Sequence, residues 1–204
     1  LEVGLSSKSN HKNEFAIWHE YDVLFGDNTI YMGSHGDDGE GGESGVDYAM
    51  AERLIKNLHI LDKRVHDDGI TIKMNNVGGD IYHGLAIYDA IVTCQNKIRI
   101  IAYGHAMSMG SFIFQAADER IMSPNARMMI HYGQGGVHGH MKDVYRHTDE
   151  LKALDKIINT IYLEKIKEVK PRFTMKKLED QMNFDWFLSP SDAISYGLCD
   201  KVLE

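Results

Sequence analysis

Between residues 70 and 130 the chain switches repeatedly between two hydrophobic periodicities, and this switching limits the available folds more than any other feature. Ile70-Thr71-Ile72-Lys73-Met74 reads as a strand and Asn75-Asn76-Val77-Gly78-Gly79-Asp80 as a turn, after which Ile81, Leu85, Tyr88, Ile91 and Val92 recur at helical spacing. Ile98-Arg99-Ile100-Ile101-Ala102-Tyr103 is again a strand. Residues 111–117 form a helix of small and aromatic residues, and Arg127-Met128-Met129-Ile130 a short buried strand. Strands separated by helices predict an α/β fold with mainly parallel strands, since a parallel crossover needs a long return connection.

The flanking segments are read in the same way. Val46, Met50, Leu54, Ile55, Leu58 and Leu61 predict a helix over 46–61 with one buried face. Residues 15–32 hold apolar and aromatic clusters broken by Gly26-Asp27-Asn28 and are expected to be strands. Residues 1–13 are polar and without period, the pattern of a mobile segment that orders on assembly. Residues 33–45 are rich in glycine and acids. Their spacing lacks the glutamate at the twelfth place of a calcium loop, so a solvated loop is expected. Near the C-terminus, Ser189-Pro190-Ser191-Asp192 places a cap, a proline at the first helical position and an acid three residues after the cap. A short helix to Tyr196, a stop at Gly197 and a strand over 198–203 follow.

The longest periodic stretch is 141–166, where Met141, Val144, Tyr145, Thr148, Leu151, Leu154, Ile158, Ile161, Tyr162 and Ile166 form a stripe uninterrupted by Gly or Pro. At 1.5 Å per residue such a helix spans roughly 35 to 40 Å, about the width of a domain, so its apolar face calls for a neighbouring subunit. Homo-oligomerisation is the expectation. No repeat or linker divides the 204 residues, so one domain is expected over 1–204.

Composition excludes several classes. A formal net charge of −8 argues against a nucleic-acid groove or an anionic membrane surface as the main business of the chain. No run approaches the ~20 apolar residues that span a bilayer. Cys94 and Cys199 are too few for a disulfide framework and lack CxxC spacing, so they read as packed thiols in a reducing compartment. A cytoplasmic protein without cofactor is expected. His138, His140 and His147 invite a metal reading, but no cysteine or carboxylate completes the set, and surface histidines are preferred.

Three segments carry candidate chemistry. Gly104-His105-Ala106-Met107-Ser108-Met109-Gly110 joins a buried strand to a helix and holds the Ser108 hydroxyl among backbone N–H groups at the helix start. It is not the G-x-S-x-G elbow, because Ala106 stands two before the serine. His131 ends a core strand, where an imidazole is presented rigidly as a base. The Gly78-Gly79 turn permits close backbone approach and can aim N–H groups at a developing oxyanion. Singly, these read as a helix cap, a core histidine and a turn.

Together these segments resemble the Clp protease proteolytic subunit. Asn75-Asn76-Val77-Gly78-Gly79 resembles the family's Asn-Ser-Pro-Gly-Gly turn, and Gly84-Leu85-Ala86-Ile87-Tyr88-Asp89 its following helix. Met107-Ser108-Met109-Gly110 stands for Ala-Ser-Met-Gly, and residues 124–131 resemble the segment that bears the base. Phe187-Leu188-Ser189, Ala193, Tyr196-Gly197-Leu198 and Asp200 resemble the C-terminal signature. The resemblance runs from about Val23 to Leu203. It implies a ClpP/crotonase-like fold of repeated β-β-α units, with a protruding handle helix in the region 136–166. It implies Ser108 as nucleophile, His131 as general base and acid, and the N–H groups of Gly79 and Met109 as oxyanion hole. It also implies stacked heptameric rings, an AAA+ ATPase unfoldase as partner and unfolded polypeptide as substrate.

Three departures bear on activity. The family's aspartate six positions before the Phe of Phe-Leu-Ser is here Gln181. A neutral amide cannot stabilise an imidazolium by charge, and the equivalent loss in chymotrypsin-type sites costs about 10⁴ in turnover. Asp180, one residue away, is expected to serve through a local shift. It is preferred to Asp185, which matches a different aspartate of the family; the remaining alternative is that neither serves. Val77 in place of Pro is expected to loosen the turn presenting Gly79, and Asn76 replaces Ser. The competing functions are a catalytically silent structural subunit, suggested by Gln181, and acyl-CoA chemistry of the crotonase type, which the glycine turns alone would permit.

Overall fold

The computed structural model describes residues 7–33, 45–64 and 69–204. Helix α1 (Ser7–Tyr21) leads into β1 (Val23–Leu24), which pairs antiparallel with β2 (Thr29–Gly33). The strand expected over 15–32 is therefore helical in its first part, and the reading of 1–13 as mobile meets a helix from Ser7 onward, with 1–6 outside the described residues. Phe15 and Tyr21 are exposed apolar residues on that helix, and α1 buries little. Of the glycine- and acid-rich loop, 34–44 also lie outside the described residues.

Helix α2 (Tyr48–Asp62) packs through Ala51, Leu54, Leu58 and Leu61, the three-to-four spacing that produced the expectation. Its start is two residues later than the apolar pattern, because the Asp47 side chain accepts from the Met50 N–H and fixes the cap there. Strand β3 (Ile70–Asn76), helix α3 (Ile81–Val92), strand β4 (Ile98–Met107), helix α4 (Met109–Phe114) and strand β5 (Glu119–Met122) follow. Then come β6 (Arg127–Ile130), the long α5 (Met141–Val169), α6 (Met175–Met182), β7 (Trp186–Leu188), α7 (Pro190–Ser195) and β8 (Lys201–Val202). Helix α7 begins with the expected capping box between Ser189 and Asp192.

The strands form one sheet in the order β1-β2-β3-β4-β5-β8, parallel from β2 to β8. Ile72, Met74, Ile100, Ala102 and Met122 are fully buried at alternate, mutually paired positions and so line one face of the sheet, while the intervening Lys73, Arg99 and Ile101 on the other face are less buried. Strand β4 runs four residues beyond its expected end at Tyr103 and changes partner: Arg99 to Ala102 pair with β5, whereas His105 to Met107 pair with β6. Strand β6 continues the layer through antiparallel β7. This fork brings the end of β4 beside the end of β6.

Helix α5 has 29 residues, about 43 Å at 1.5 Å per residue. It docks on the core through Tyr162 and Ile166 in its second half. In its first half Met141, Tyr145 and Leu151 stay exposed.

Candidate active site

Ser108 stands between β4 and α4 with φ +50° and ψ −125°, a left-handed conformation that a non-glycine residue holds at a cost of about 1–3 kcal/mol. Its own backbone is fixed at both ends. The N–H donates to the Met129 carbonyl at 2.8 Å, and the carbonyl accepts from Ser111 Oγ at 2.7 Å and from the Phe112 N–H at 3.2 Å. Ser111 Oγ lies 2.7 Å from the Tyr162 hydroxyl, a buried link between α5 and the residue that shapes the bend. Burial pushes the Tyr162 phenol far up, with the Ser111 hydrogen bond opposing it weakly, so this hydroxyl stays neutral.

The β4–β6 pairing, which ends at Met107 opposite Met129, carries the two chains on in step. Two residues past Met129, His131 places Nε2 2.8 Å from Ser108 Oγ. On its other side His131 Nδ1 lies 3.3 Å from Asp185 Oδ1. The antiparallel register explains this contact. Met128 faces Leu188, Met129 faces Phe187 and Ile130 faces Trp186, so the next pair outward is His131 with Asp185.

Asp180 is not at the site. It lies on α6, where its carboxylate accepts from Lys176 Nζ at 3.2 Å one turn away, and the side chain is exposed. The expected one-residue shift does not occur because Leu178 and Met182 bury the apolar stripe of α6 and fix its rotation. Gln181 is likewise exposed on α6. What brings Asp185 to His131 is strand register: the residue just before one short strand meets the residue just after its antiparallel neighbour.

The glycine turn is packed against the bend. A Cβ on Gly78 would lie 2.5 Å from Ser108 Cβ and 3.0 Å from the Met109 nitrogen, and φ at Gly78 is +106°, so only glycine fits. The loosening expected from Val77 is offset by Asn76, which is fully buried and whose Oδ1 accepts the Gly78 N–H at 2.9 Å. Val46 bridges to Gly79 in parallel fashion, using the Gly78 carbonyl and the Asp80 N–H. That pattern turns the intervening Gly79 N–H to the opposite side, away from Val46. Met109, the first residue of α4, has an N–H with no partner one turn back within its helix.

A cleft of about 340 Å³ opens beside Ser108, lined by Gly79, Met109, Phe112 and His131, and by Asp155, Ile158 and Tyr162 of α5. Among the described residues no group of three or more His, Cys, Asp or Glu is placed to hold a metal ion. His140 instead caps α5, its Nδ1 accepting from the Lys142 N–H at 3.3 Å. No helix among the described residues is long and apolar enough to cross a membrane.

Residues 42–204 match the Clp protease family. The chain belongs to the Clp protease family. The ATP-dependent Clp protease proteolytic subunit of Deinococcus radiodurans is 32% identical over 186 residues, covering 90% of this chain and 84% of that protein. A ClpP1 point mutant from Listeria monocytogenes superposes with a TM-score of 0.73 at 24% identity, over 89% of this chain and 94% of the other, a likeness of fold. As a Clp protease family member the chain is a serine-type peptidase subunit, with the α/β fold of its relatives.

Proposed function

We propose that Ser108 is the nucleophile of this peptidase, with His131 as general base and acid and Asp185 orienting the imidazole. The observation that carries the reading is the unbroken path from Ser108 Oγ to His131 Nε2 at 2.8 Å and from His131 Nδ1 to Asp185 Oδ1 at 3.3 Å. A serine hydroxyl is a weak nucleophile until a base takes its proton. As Ser108 Oγ bonds to the substrate carbonyl carbon, its proton passes to His131 Nε2 and the carbonyl π electrons move to oxygen. The N–H groups of Gly79 and Met109 receive that oxyanion, each such donor being worth roughly 3–4 kcal/mol in comparable sites. Collapse of the tetrahedral species breaks the C–N bond, and the imidazolium gives its proton to the leaving amine. Water then repeats the sequence on the acyl-enzyme, returning Ser108 and the shortened peptide acid.

Asp185 weakens the case for a silent structural subunit, since it brings to His131 the carboxylate that Gln181 does not supply. The side chain of Asp185 is 53% exposed, against 18% for His131, so its charge is partly screened by water and the electrostatic gain is smaller than for a buried triad acid. Crotonase-type chemistry needs neither the serine nor the histidine, and both are in contact here.

At the level of the assembly, the reading is of stacked heptameric rings that degrade unfolded polypeptide delivered by an AAA+ ATPase. Its support is the ATP dependence of the Clp protease to which the Deinococcus relative belongs, and the exposed Met141, Tyr145, Leu151 and Ile157 on α5, which a lone chain leaves in water. The free thiols of Cys94 and Cys199 are consistent with a reducing compartment, and we place the protein in the cytoplasm. The test is hydrolysis of a fluorogenic peptide by the purified chain after sizing. Activity is expected in ring-sized fractions and should fall at least about 10³-fold in Ser108→Ala. Equal hydrolysis by the variant, or none in ring-sized fractions, would overturn the reading.

A further inference from the structure

The cleft beside Ser108 is lined by carboxylates without a permanently cationic side chain among the described residues. Among the described residues that line it, Asp80 and Asp155 are acidic and none is a lysine or arginine. Asp80 is engaged and exposed, its carboxylate capping α3 by accepting the His83 N–H at 2.9 Å. Asp155 is different. It sits on α5 one turn before Asn159, half-buried, on the face that gives Leu151, Ile158 and Tyr162 to the same lining. Burial holds its carboxyl above the usual range. The lysine nearest before it in sequence, Lys152, is turned to Asp149 at 3.5 Å. On neighbouring Tyr132, Glu179, Asp155 and Asp180 all act, after burial, to raise the phenol.

A carboxylate partly stripped of water, in a cleft with an apolar wall, is stabilised by a cation that arrives on an aliphatic stem. Phe112, Ile158 and Met182 supply the wall for such a stem. We infer that Asp155 is a specificity-determining residue, directing this peptidase to peptide bonds in which the residue contributing the attacked carbonyl is lysine or arginine. The inference rests on Ser108 acting as the nucleophile, because it is the cleft's position beside Ser108 that gives its occupant that place in the substrate.

The test compares fluorogenic peptides that are identical except for Lys, Leu or Glu at the residue before the cleaved bond, on the assembled chain. The readout is the ratio of kcat/KM values within one preparation, which cancels differences in folding or assembly. Wild type should favour Lys over Leu by about 10-fold or more, and Asp155→Asn should lower that ratio by about 10-fold, the scale of one charge-assisted hydrogen bond. Asp155→Lys should turn the preference toward Glu. Fluorophosphonate titration of Ser108 on the same samples separates the two levels of the account. Normal labelling with a Lys/Leu ratio near one, or a ratio that Asp155→Asn leaves unmoved, would overturn the inference while leaving the nucleophile in place. Absence of both labelling and cleavage would overturn the proposed function and the inference with it.

Discussion

Asp185 Oδ1 lies 3.3 Å from His131 Nδ1 because the two residues continue one antiparallel register, one following Ile130 and the other preceding Trp186. The acid proposed to orient the imidazole thus comes from a strand end rather than from the helix position that Gln181 occupies. Strand ends bordering a ladder are rigid, which suits a group that must hold an imidazole in one tautomer.

Exchanging Asp185 for Asn keeps the shape and removes the charge. Turnover of Asp185→Asn should fall about 10²-fold or more, short of the ~10⁴ seen for a fully buried triad acid because water screens this one. Asp185→Glu should recover part of the loss. Asp180→Asn should change turnover by less than about twofold, since that carboxylate is engaged with Lys176 on an exposed helix face. Steady-state kinetics normalised to titrated sites checks all three. A loss in Asp180→Asn equal to that in Asp185→Asn would restore the reading that the structure corrects.

Gly78 tests the packing of the turn against the nucleophile. In Gly78→Ala a methyl group meets Ser108 Cβ at 2.5 Å, in a backbone conformation with φ +106°. The strain is about 1–3 kcal/mol, at roughly 2–4 °C of melting temperature per kcal/mol for a chain of this size. Because the methyl group displaces Ser108 itself, kcat should fall more than about tenfold. Thermal melting and peptide hydrolysis on the same sample measure both effects.

Arg120 tests the frame under the site. Its side chain is 7% exposed and holds Asp200 through Nη2 at 2.6 Å and Nε at 3.1 Å, while Nη1 donates to Gln115 Oε1 and to the Gly197 carbonyl, each at 2.8 Å. Arg120→Leu should cost about 2–4 kcal/mol, less than for a wholly buried pair because Asp200 is 39% exposed and can rehydrate. Arg120→Lys should recover little, since an ammonium cannot reproduce the fork. Urea unfolding at fixed protein concentration gives the comparison.

The elements most legible in the sequence are those whose period and terminal signals agree. Helix α3 begins and ends where the apolar spacing of Ile81 to Val92 places it, and α7 begins at its Ser-Pro signal. Helix α1 reads as a strand in the sequence because Phe15-Ala16-Ile17-Trp18 is locally as suited to a strand as to a helix, and the described residues of α1 present no buried face to decide between them. Helix α6 was overlooked because only Leu178 and Met182 mark its inner side. At the site, the placement of Ser108 and His131 at the ends of two core strands was legible. The acid was not, because counting back from Phe187 follows a helix and loop, whereas the contact is made across a ladder whose pairing the linear sequence does not state.

The reactivity of Ser108 is the most direct measure of its role as nucleophile. A fluorophosphonate probe should add one mass increment per chain, at Ser108, in the ring-sized protein. Its labelling rate should drop at least about 10³-fold in His131→Ala and vanish in Ser108→Ala. No adduct on the assembled protein, or an adduct whose rate His131→Ala leaves unchanged, would contradict the assignment of Ser108 and His131 as nucleophile and base.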